Sequence, residues 1–453
     1  MSALRRTADR VLERHGRTTI LLLCAIVALG FGLRANRALN PVKDVGVDSK
    51  AYYVIAKTLY EDQRYGTTTM RNASDWSPGA PLLHAGVYYA VGGVRDRVAR
   101  LFVALLGAGA IVVCYLLARR LATAPGRGPP PPRPAAAAGL LAALGVAVYP
   151  PFIHNTGRIM SEPPVTLTLP AAVLLFLWAA DSRGRGPWVW APAGALFGLT
   201  ALFRPEFLLV GVAMGLLALF LTVRDAGWRP GLLATGVLLV ALVLPILPWT
   251  IRNAVVLDRL VPISTGGGKA LYVGTFLPGD GDYFRTKQIL AQRHLGRPVP
   301  RPQLGRVNPA PLFDRVAARY PGLSRDEALA RAGRENLERN LRNEPLRYAG
   351  MLARKVWRMW RTGSVSMKGP VGFVWQRGLE LLALVALGLL LARRRREFLP
   401  FALILASITA VAALTLATPR RNETLMTLVI VLAACGAAWL AELIGERRRA
   451  RSA

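Results

Sequence analysis

The chain has 453 residues, of which 53% are hydrophobic, and its mean hydropathy is +0.34. Its 58 Lys and Arg residues outnumber 26 Asp and Glu residues, which leaves a formal net charge of +32 at pH 7. This composition excludes a disordered chain, which would be polar, and leaves a nucleic-acid binder or a membrane protein with arginine-rich cytoplasmic loops.

Long apolar segments recur along the whole chain. A helix that crosses a bilayer needs about 20 mostly apolar residues. Ten segments reach or approach that length, and we therefore predict an all-α polytopic membrane protein with about ten transmembrane helices. They are residues 18–33, 98–118, 135–152, 161–180, 189–203, 206–222, 230–250, 371–393, 398–416 and 422–442. We interpret the first as a retained helix rather than a signal peptide, because it lacks a clear cleavage site and Arg34 and Arg37 follow it directly.

Arginine clusters orient the predicted helices. If ten helices cross the membrane, the clusters all fall on one side, and the positive-inside rule makes that side cytoplasmic together with both termini. The clusters are Arg5, Arg6, Arg10, Arg14 and Arg17, then Arg119, Arg120, Arg127 and Arg133, then Arg183, Arg185, Arg224 and Arg229, and finally Arg393–Arg396 and Arg447–Arg449. Because much of the positive charge flanks membrane helices, we expect contacts with membrane lipids and no nucleic-acid partner.

Two long segments, residues 34–97 and 251–370, are predicted to lie outside. Within the first, residues 81–94 are apolar but too short for a span, and counting them as one would move the later arginine clusters to the wrong face. We therefore predict a re-entrant or interfacial helix there. We predict that the chain divides into a seven-helix transmembrane module with the first outer loop (1–250), an outer region with interfacial helices (251–370), and three C-terminal transmembrane helices (371–453).

The second outer segment contains two helix patterns. Ser324 and Glu327 form a capping box that opens a helix ending near Asn343. Pro345 starts another helix, in which aromatic and basic residues are interleaved. Such a pattern is typical of a helix in the headgroup plane, although a solvated charged face with a buried Trp stripe has the same pattern. The residues are Met351, Leu352, Val356, Trp357 and Trp360 with Arg354, Lys355, Arg358 and Arg361.

The interiors of the predicted helices are almost free of ionisable residues, whereas transporters usually carry such residues in mid-span. The ionisable residues lie instead at the outer ends of helices and in the two outer segments. This distribution favours a site at the outer membrane surface. The three cysteines, Cys24, Cys114 and Cys435, lie inside apolar segments and the histidines are scattered, so neither a disulfide framework nor a metal cluster is indicated.

Two candidate clusters precede the fourth predicted span. Asp48 and Tyr52 are four residues apart and share one helix face, although Asp48 would equally serve as an N-cap. Arg158, Ser161 and Glu162 lie where the third span returns as the fourth. Here too a helix start accounts for the pattern, with Ser161 as the cap and Glu162 in the first turn.

Two further clusters lie at the outer ends of the middle spans. Arg204 and Glu206 form the turn between the fifth and sixth spans, where they could simply pair with each other. Arg252 and Asn253 end the seventh span. Lys269 follows three glycines, but the spacing is not that of a phosphate-binding loop.

Arg420 and Arg421 lie in the outer turn between the last two spans, where the positive-inside rule does not place arginine. We therefore expect a local anionic partner for them. Both a lipid headgroup phosphate and a substrate phosphate fit, because guanidinium groups bind either one.

In this order the clusters resemble the GT-C superfamily of polytopic glycosyltransferases, and within it bacterial relatives of protein O-mannosyltransferases and lipid A aminoarabinose transferases. Two departures stand out: Ser49 follows Asp48 where the family often has a second acidic residue, and Arg421 replaces the Tyr of a Pro-Arg-Tyr motif. The matching elements are Asp48 with Tyr52, Ser77-Pro78-Gly79-Ala80-Pro81, Ser161-Glu162, Arg204-Pro205-Glu206, Pro248-Trp249-Thr250-Ile251-Arg252-Asn253, Pro262-Ile263-Ser264, Asn343-Glu344-Pro345 and Pro419-Arg420.

The resemblance implies a polyprenyl-phosphate-linked sugar donor, presented from the membrane, and no nucleotide-binding domain. Inverting transfer needs a carboxylate that takes the proton of the acceptor hydroxyl, for which the resemblance suggests Asp48. It leaves Glu162 to orient the acceptor or, with Asp48, to help hold a divalent cation such as Mg²⁺ or Mn²⁺. The donor phosphate and substrate would contact Tyr52, Arg158, Arg204, Glu206, Arg252, Asn253, Lys269, Arg420 and Arg421.

We thus expect an integral glycosyltransferase of the inner (plasma) membrane, with its active site on the extracytoplasmic face. Its acceptor would be a lipid, a glycan or a protein. The alternative is a polytopic lipid or polysaccharide transporter without glycosyl transfer, which would require polar residues along a path through the spans.

Overall fold

The computed structural model describes residues 16–41, 46–67, 72–123, 132–182, 184–361, 367 and 369–452. Asp44 and several arginines of the orienting clusters, namely Arg5, Arg6, Arg10, Arg14, Arg127 and Arg183, lie outside these residues. The described part is helical and contains no strand. The predicted all-α polytopic architecture is confirmed.

Most helices of the N-terminal half form the membrane bundle. They are α1 (Arg17–Leu39), α2 (Gly46–Asp62), α3 (Gly79–Val91), α4 (Asp96–Thr123), α5 (Pro132–Val148), α6 (Pro150–Thr156), α7 (Glu162–Asp181), α8 (Ala191–Phe203, after a 3₁₀ turn Pro187–Trp190), α9 (Phe207–Ala226), α10 (Trp228–Val243) and α11 (Leu247–Leu257). The chain then forms an outer group of helices and returns to the bundle.

The second half contains nine further helices in its described residues. They are α12 (Gly267–Thr275), α13 (Tyr283–Leu295), α14 (Ala310–Ala317), α15 (Arg325–Asn343), α16 (Pro345–Arg361), α17 (Pro370–Ala392), α18 (Phe398–Leu414), α19 (Pro419–Glu423) and α20 (Met426–Ser452), with 3₁₀ turns Leu277–Gly279 and Arg301–Arg306. Side chains of α17, α18 and α20 share one apolar core with those of α4–α10.

The number of spans is lower than predicted when counted by length and apolar composition. Six helices of the described chain satisfy both criteria: α1, α4, α7, α9, α17 and α20. Two bent pairs, α5 with α6 (47°) and α10 with α11 (53°), raise the number to eight if each is one span. Prolines at both breaks explain the bends, because proline removes a helical hydrogen bond. The 3₁₀ turn with α8, and α18, are apolar but shorter, so ten spans are not confirmed.

The arginine-rich turns meet at one end of the bundle. Arg120 at the end of α4 pairs with Asp181 at the end of α7, at 2.5 Å. Arg396, between α17 and α18, pairs with Asp225 of α9, with 2.7 Å between Nη2 and Oδ1. Exposed pairs of this kind stabilise a fold by about 0–1 kcal/mol each. They nevertheless show which turns are neighbours, and the two long outer segments lie at the opposite end.

Helix α3 is the segment that was predicted to be re-entrant or interfacial. It has 13 residues and ends at Gly92, whose φ of 67° is left-handed. At about 1.5 Å per residue it is too short to cross a bilayer of about 30 Å. It packs against α2, α4 and α8, and so joins the first outer segment to the bundle.

The outer helices build their own small core, and one of them carries an unexpected buried cation. The predicted capping box of Ser324 and Glu327 is confirmed, and α15 ends at Asn343. In α16, Lys355 lies on the buried face, where its Nζ donates to the carbonyls of Gly274 (2.8 Å) and Ala413. Burial, with the nearby arginines, lowers the pKa of Lys355 to about 7. The aromatic residues do not form one stripe: Trp357 is half-exposed, and Trp360 packs on the core.

Helices α8 and α10 approach each other closely because α8 carries glycine at the contact. A Cβ added at Gly198 would collide with the carbonyl oxygen of Leu242, and one at Gly194 with that of Leu238. These neighbours are backbone atoms of a packed helix and cannot move independently.

We expect Gly198→Ala to lower the thermal stability of the purified protein, because overpacking costs about 1–3 kcal/mol. Gly236→Ala is the matched control, since it lies on α10 and a Cβ there meets nothing within 4 Å. The two melting temperatures in detergent measure the difference. Equal melting temperatures for the two variants would contradict the close approach.

Candidate active site

A row of alternating charges crosses the end of the bundle opposite to the arginine-rich turns. In order, it consists of Asp48, Arg420, Glu162, Arg204 and Glu206, each ion-paired with the next. The residues come from α2, α19, the first turn of α7 and the turn between α8 and α9. The fold thus joins three of the predicted clusters and the late arginine turn, which are up to 372 residues apart in sequence.

The pairs in this row are direct. Arg420 contacts Asp48 through Nη1 and grips Glu162 through Nε and Nη2, the latter at 3.2 Å from Oε2. Arg204 donates from Nη1 to Glu162 at 3.0 Å and from Nη2 to Glu206 at 2.7 Å. The Glu162 side chain is 3% exposed, whereas that of Asp48 is 39% exposed. Asp48 is therefore the carboxylate of the row that a hydroxyl group from solvent reaches most easily.

Local structure separates the two capping explanations: Asp48 is not an N-cap, whereas Ser161 does occupy the N-cap position of α7 with Glu162 in the first turn. Asp48 is inside α2, in its first turn, and not at an N-cap. Ser161 precedes α7 but makes no side-chain capping bond; its hydroxyl lies 3.3 Å from Glu162 Oε2 and donates to it. Ser49, which departs from the family pattern, is buried and accepts a hydrogen bond from the Ile159 backbone N–H at 3.1 Å. It thereby fixes α2 against the turn that leads to Glu162.

Tyr52 and the Ser77 motif form a brace beside the row. The Ser77 hydroxyl donates to the Phe203 carbonyl at 2.8 Å and lies 3.2 Å from the Tyr52 hydroxyl. A Cβ at Gly79 would press on the Phe203 ring, so glycine allows α3 to dock on α8. Burial raises the pKa of Tyr52. These contacts indicate that Tyr52 positions α2; its predicted contact with substrate stays a prediction.

Arg420 and Arg421, for which an anionic partner was expected, have protein carboxylates nearby. Arg420 forms ion pairs with Asp48 and Glu162. The sequence pattern did not indicate that these carboxylates would be its partners. Arg421 donates a hydrogen bond from Nη1 to the Thr415 hydroxyl at 2.8 Å. Its positive charge also acts on Glu206, together with that of Arg204. Burial alone would raise the pKa of Glu206, but these two arginines outweigh it and hold the pKa at about 2. Glu206 is therefore ionised at neutral pH.

Four predicted site residues have their described contacts elsewhere. Arg252 stacks on Trp249 and Tyr65, with 5.0 and 5.5 Å from its guanidinium carbon to the ring centres. Asn253 donates to the carbonyls of Val261 (3.0 Å) and Ile263 (3.1 Å) and so closes the loop after α11. Their roles in substrate binding remain predictions.

The other two of these residues are Lys269 and Arg158. Lys269 is an exposed residue in the first turn of α12, next to Gly268, whose backbone N–H donates to Asp326. Arg158 is half-buried in the turn between α6 and α7, where its charge acts on His154. Both assignments also remain predictions.

Glu423, its partner Asn155 and Tyr283 lie near the row and were not predicted as site residues. Glu423 ends α19, is buried, and accepts a hydrogen bond of 2.7 Å from the amide of Asn155. Tyr283 is the first residue of α13. Burial and the nearby Asp48 carboxylate raise the pKa of its phenol. The outer helices therefore lie close to Asp48, at the exposed end of the row. Glu423 was not selected from the sequence because it lies at the start of the last apolar segment. A single carboxylate at that position is typical of the polar end of a membrane helix.

The row does not fit a divalent cation. The guanidinium of Arg420 lies between Asp48 and Glu162, where a shared metal ion would have to bind. Among the described residues, no group of three or more His, Cys, Asp and Glu side chains is arranged to hold a metal. The positive charge between the two carboxylates is supplied by arginine.

Fold and site together define a polytopic membrane protein with a polar, arginine-lined site at one end of its helix bundle. A family model described as dolichyl-phosphate-mannose-protein mannosyltransferase matches residues 75–249. The matched region contains Glu162, Arg204 and Glu206, whereas Asp48 and Arg420 lie outside it. No curated protein matches the sequence.

Solved structures of an archaeal oligosaccharyltransferase share the fold. The archaeal oligosaccharyltransferase AglB from Archaeoglobus fulgidus, in complex with an inhibitory peptide and a dolichol-phosphate, is similar with a TM-score of 0.56 and 13% identity. Its apo form gives a TM-score of 0.54 and 15% identity; each comparison covers 96% of this chain and 52% of the other. ArnT from Cupriavidus metallidurans bound to undecaprenyl phosphate has 19% identity over 92% of this chain and 77% of its own, with a TM-score of 0.36.

The predicted resemblance to GT-C glycosyltransferases is confirmed by the family match and by the shared fold. At these identities the structural likeness concerns the fold alone. The chain spans about half the length of the oligosaccharyltransferase structures that it matches.

Proposed function

We propose that this protein is an integral membrane glycosyltransferase that moves a sugar from a polyprenyl-phosphate donor to a lipid, glycan or protein acceptor. The observation that carries the proposal is the row of carboxylates and guanidinium groups at the outer end of the bundle. It combines an accessible carboxylate, Asp48, with three buried or half-buried arginines. A lipid-linked donor agrees with the dolichyl-phosphate of the matching family description and with the dolichol-phosphate bound to AglB.

In the proposed reaction the acceptor hydroxyl attacks the anomeric carbon of the sugar. The new carbon–oxygen bond forms as the bond to the phosphate oxygen breaks, and its electron pair stays on the lipid phosphate. Asp48 takes the hydroxyl proton as general base, and the sugar configuration inverts because there is a single displacement. Arg420 holds the Asp48 carboxylate in place through their ion pair.

Arginines stabilise the leaving phosphate in this scheme. Arg420, Arg204 and Arg421 converge on the same end of the bundle, and ion pairs with carboxylates set the positions of Arg420 and Arg204 before any donor binds. Preorganised cations of this kind lower a barrier because they need little reorganisation as charge develops. Glu162 is engaged by two arginines, so we assign it the role of positioning them.

We further propose that the row faces the extracytoplasmic side of the inner membrane and that both termini are cytoplasmic. The arginine-rich turns at the opposite end of the bundle support this orientation, since positively charged loops remain in the cytoplasm. The N-terminal module (1–250) would supply Asp48, Glu162, Arg204 and Glu206, and the C-terminal helices (371–453) would supply Arg420 and Arg421.

The test uses the purified protein with a panel of polyprenyl-phosphate sugars and candidate acceptors, with mass spectrometry of the products. We expect one donor to yield a glycosylated acceptor and free polyprenyl phosphate. Lipid translocation in proteoliposomes without any glycosylated product would contradict the proposal and favour the transporter.

A further inference from the structure

Glu423 is a buried carboxyl group with too few hydrogen bonds for an ionised form. Its Oε2 accepts one bond from Asn155 Nδ2 at 2.7 Å. Its Oε1 is buried and has no hydrogen-bond partner among the described residues. The side chain lies one helical turn after Arg420, whose guanidinium nitrogens are directed to Asp48, Glu162 and the sulfur of Met160. A buried carboxylate with one neutral donor is costly, which favours the protonated acid.

The charges of the neighbouring row are already balanced when Arg421 beside it is counted. Three carboxylates, those of Asp48, Glu162 and Glu206, face three guanidinium groups, those of Arg204, Arg420 and Arg421. A donor phosphate adds at least one negative charge. Ionised Glu423 would add another in the same low-dielectric region, where like charges repel strongly. The site can therefore accommodate the negative charge of the donor phosphate more easily than the charges of the phosphate and of ionised Glu423 together.

We propose that Glu423 must hold a proton for the donor phosphate to bind, so that donor binding and retention of this proton are coupled. The inference rests on the proposed function, since it assigns Glu423 to the site of the lipid-linked donor. Glu423 is a positioning residue in this scheme. As a neutral acid it leaves Arg420 and Arg204 to the phosphate, whereas an ionised Glu423 would compete for them.

The charged and titratable groups around Glu423 fix the pH range of the effect. Burial, followed by the Glu162 carboxylate, raises the pKa of Glu423 to about 8, against the opposing influence of Arg420, Asn155 and Arg204. The phenol of Tyr149, between α5 and α6, also faces it. Since the acid is protonated below its pKa, donor affinity is expected to be constant up to pH 8. Above pH 8 it should fall about tenfold per pH unit.

The experiment measures binding of undecaprenyl phosphate to the full chain in nanodiscs between pH 7 and pH 10. The second pKa of a phosphate monoester is near 6, so the probe itself does not titrate in this range. We expect wild-type affinity to drop about 100-fold between pH 7 and pH 10, in line with the linkage relation. Glu423→Gln, which imitates the neutral acid, should keep the pH 7 affinity throughout.

The matched control is Glu380→Gln on α17, which also removes a carboxylate near Tyr149. This variant should retain the alkaline loss of affinity. If Glu423→Gln retains it as well, another group titrates and the inference is overturned. A wild-type protein that is folded but binds no undecaprenyl phosphate at any pH would instead overturn the proposed function.

A second measurement needs no variant and covers the case in which Glu423→Gln does not fold. At pH 9 most wild-type molecules would have Glu423 ionised, so binding should take up close to one proton per ligand. Calorimetry in two buffers of different ionisation enthalpy measures this number. Binding without proton uptake would contradict the coupling.

Discussion

Replacing Asp48 with asparagine is expected to lower the rate of sugar transfer by about 10²–10⁴-fold, the usual contribution of a general base. Asparagine has nearly the same shape but cannot accept the acceptor's proton. The Asp48 side chain is 39% exposed, so the fold should tolerate the change. Arg420 keeps its contacts with Glu162 and remains in place, which should preserve donor binding. Turnover and donor affinity, measured on the same preparation, separate the two effects.

Asp62→Asn is the control for this variant. Asp62 is the last residue of α2, is exposed, and pairs with Arg64 at 3.9 Å, well away from the row. Its activity should equal that of the wild type. Full activity in Asp48→Asn would mean that another group takes the proton, and the assignment of Asp48 as the base would be wrong.

Replacing Arg420 with alanine is expected to lower transfer by at least about 10³-fold, because removing a single preorganised donor already costs about 10²–10³-fold. Arg420 also joins Asp48 to Glu162, and the loss leaves the buried Glu162 with Arg204 alone. Arg420→Lys should recover little activity, since one ammonium group cannot reproduce the planar fork of a guanidinium. Donor affinity should fall with the rate, unlike in Asp48→Asn.

Arg224→Ala controls for the loss of one positive charge, because Arg224 lies at the opposite end of the bundle in the last turn of α9. It should bind the donor as the wild type does. Arg421→Ala is the third variant of the series, because the positive charge of Arg421 acts on Glu206 at the same end of the bundle. Unchanged donor affinity in both Arg420→Ala and Arg421→Ala would show that the phosphate binds elsewhere.

The sequence predicted the helices well because their signals are local. Apolar length, proline breaks and the capping box of Ser324 and Glu327 depend on neighbouring residues, and each predicted span falls mainly on helix. Motif order also predicted the superfamily. The number of spans was less certain, because α8 and α18 are apolar yet shorter than a typical membrane helix.

The candidate site was predicted in part. The charged residues that the sequence singled out at helix ends include all five members of the row. Arg252 and Asn253 were chosen by the same criterion, yet their contacts are with aromatic rings and loop carbonyls. A charged residue at a helix end has the same local pattern whether it binds a ligand or closes a loop.

By itself, then, the sequence determined the helical membrane architecture and the end of the bundle at which polar chemistry is concentrated, since burying a charge in mid-span is too costly. Only the tertiary structure decided which charges meet. It placed Arg420 between Asp48 and Glu162, and it buried Glu423 against Asn155, 268 residues away. Such pairings depend on how distant helices pack, and the distance between two side chains in a fold is not encoded in the local pattern around either one.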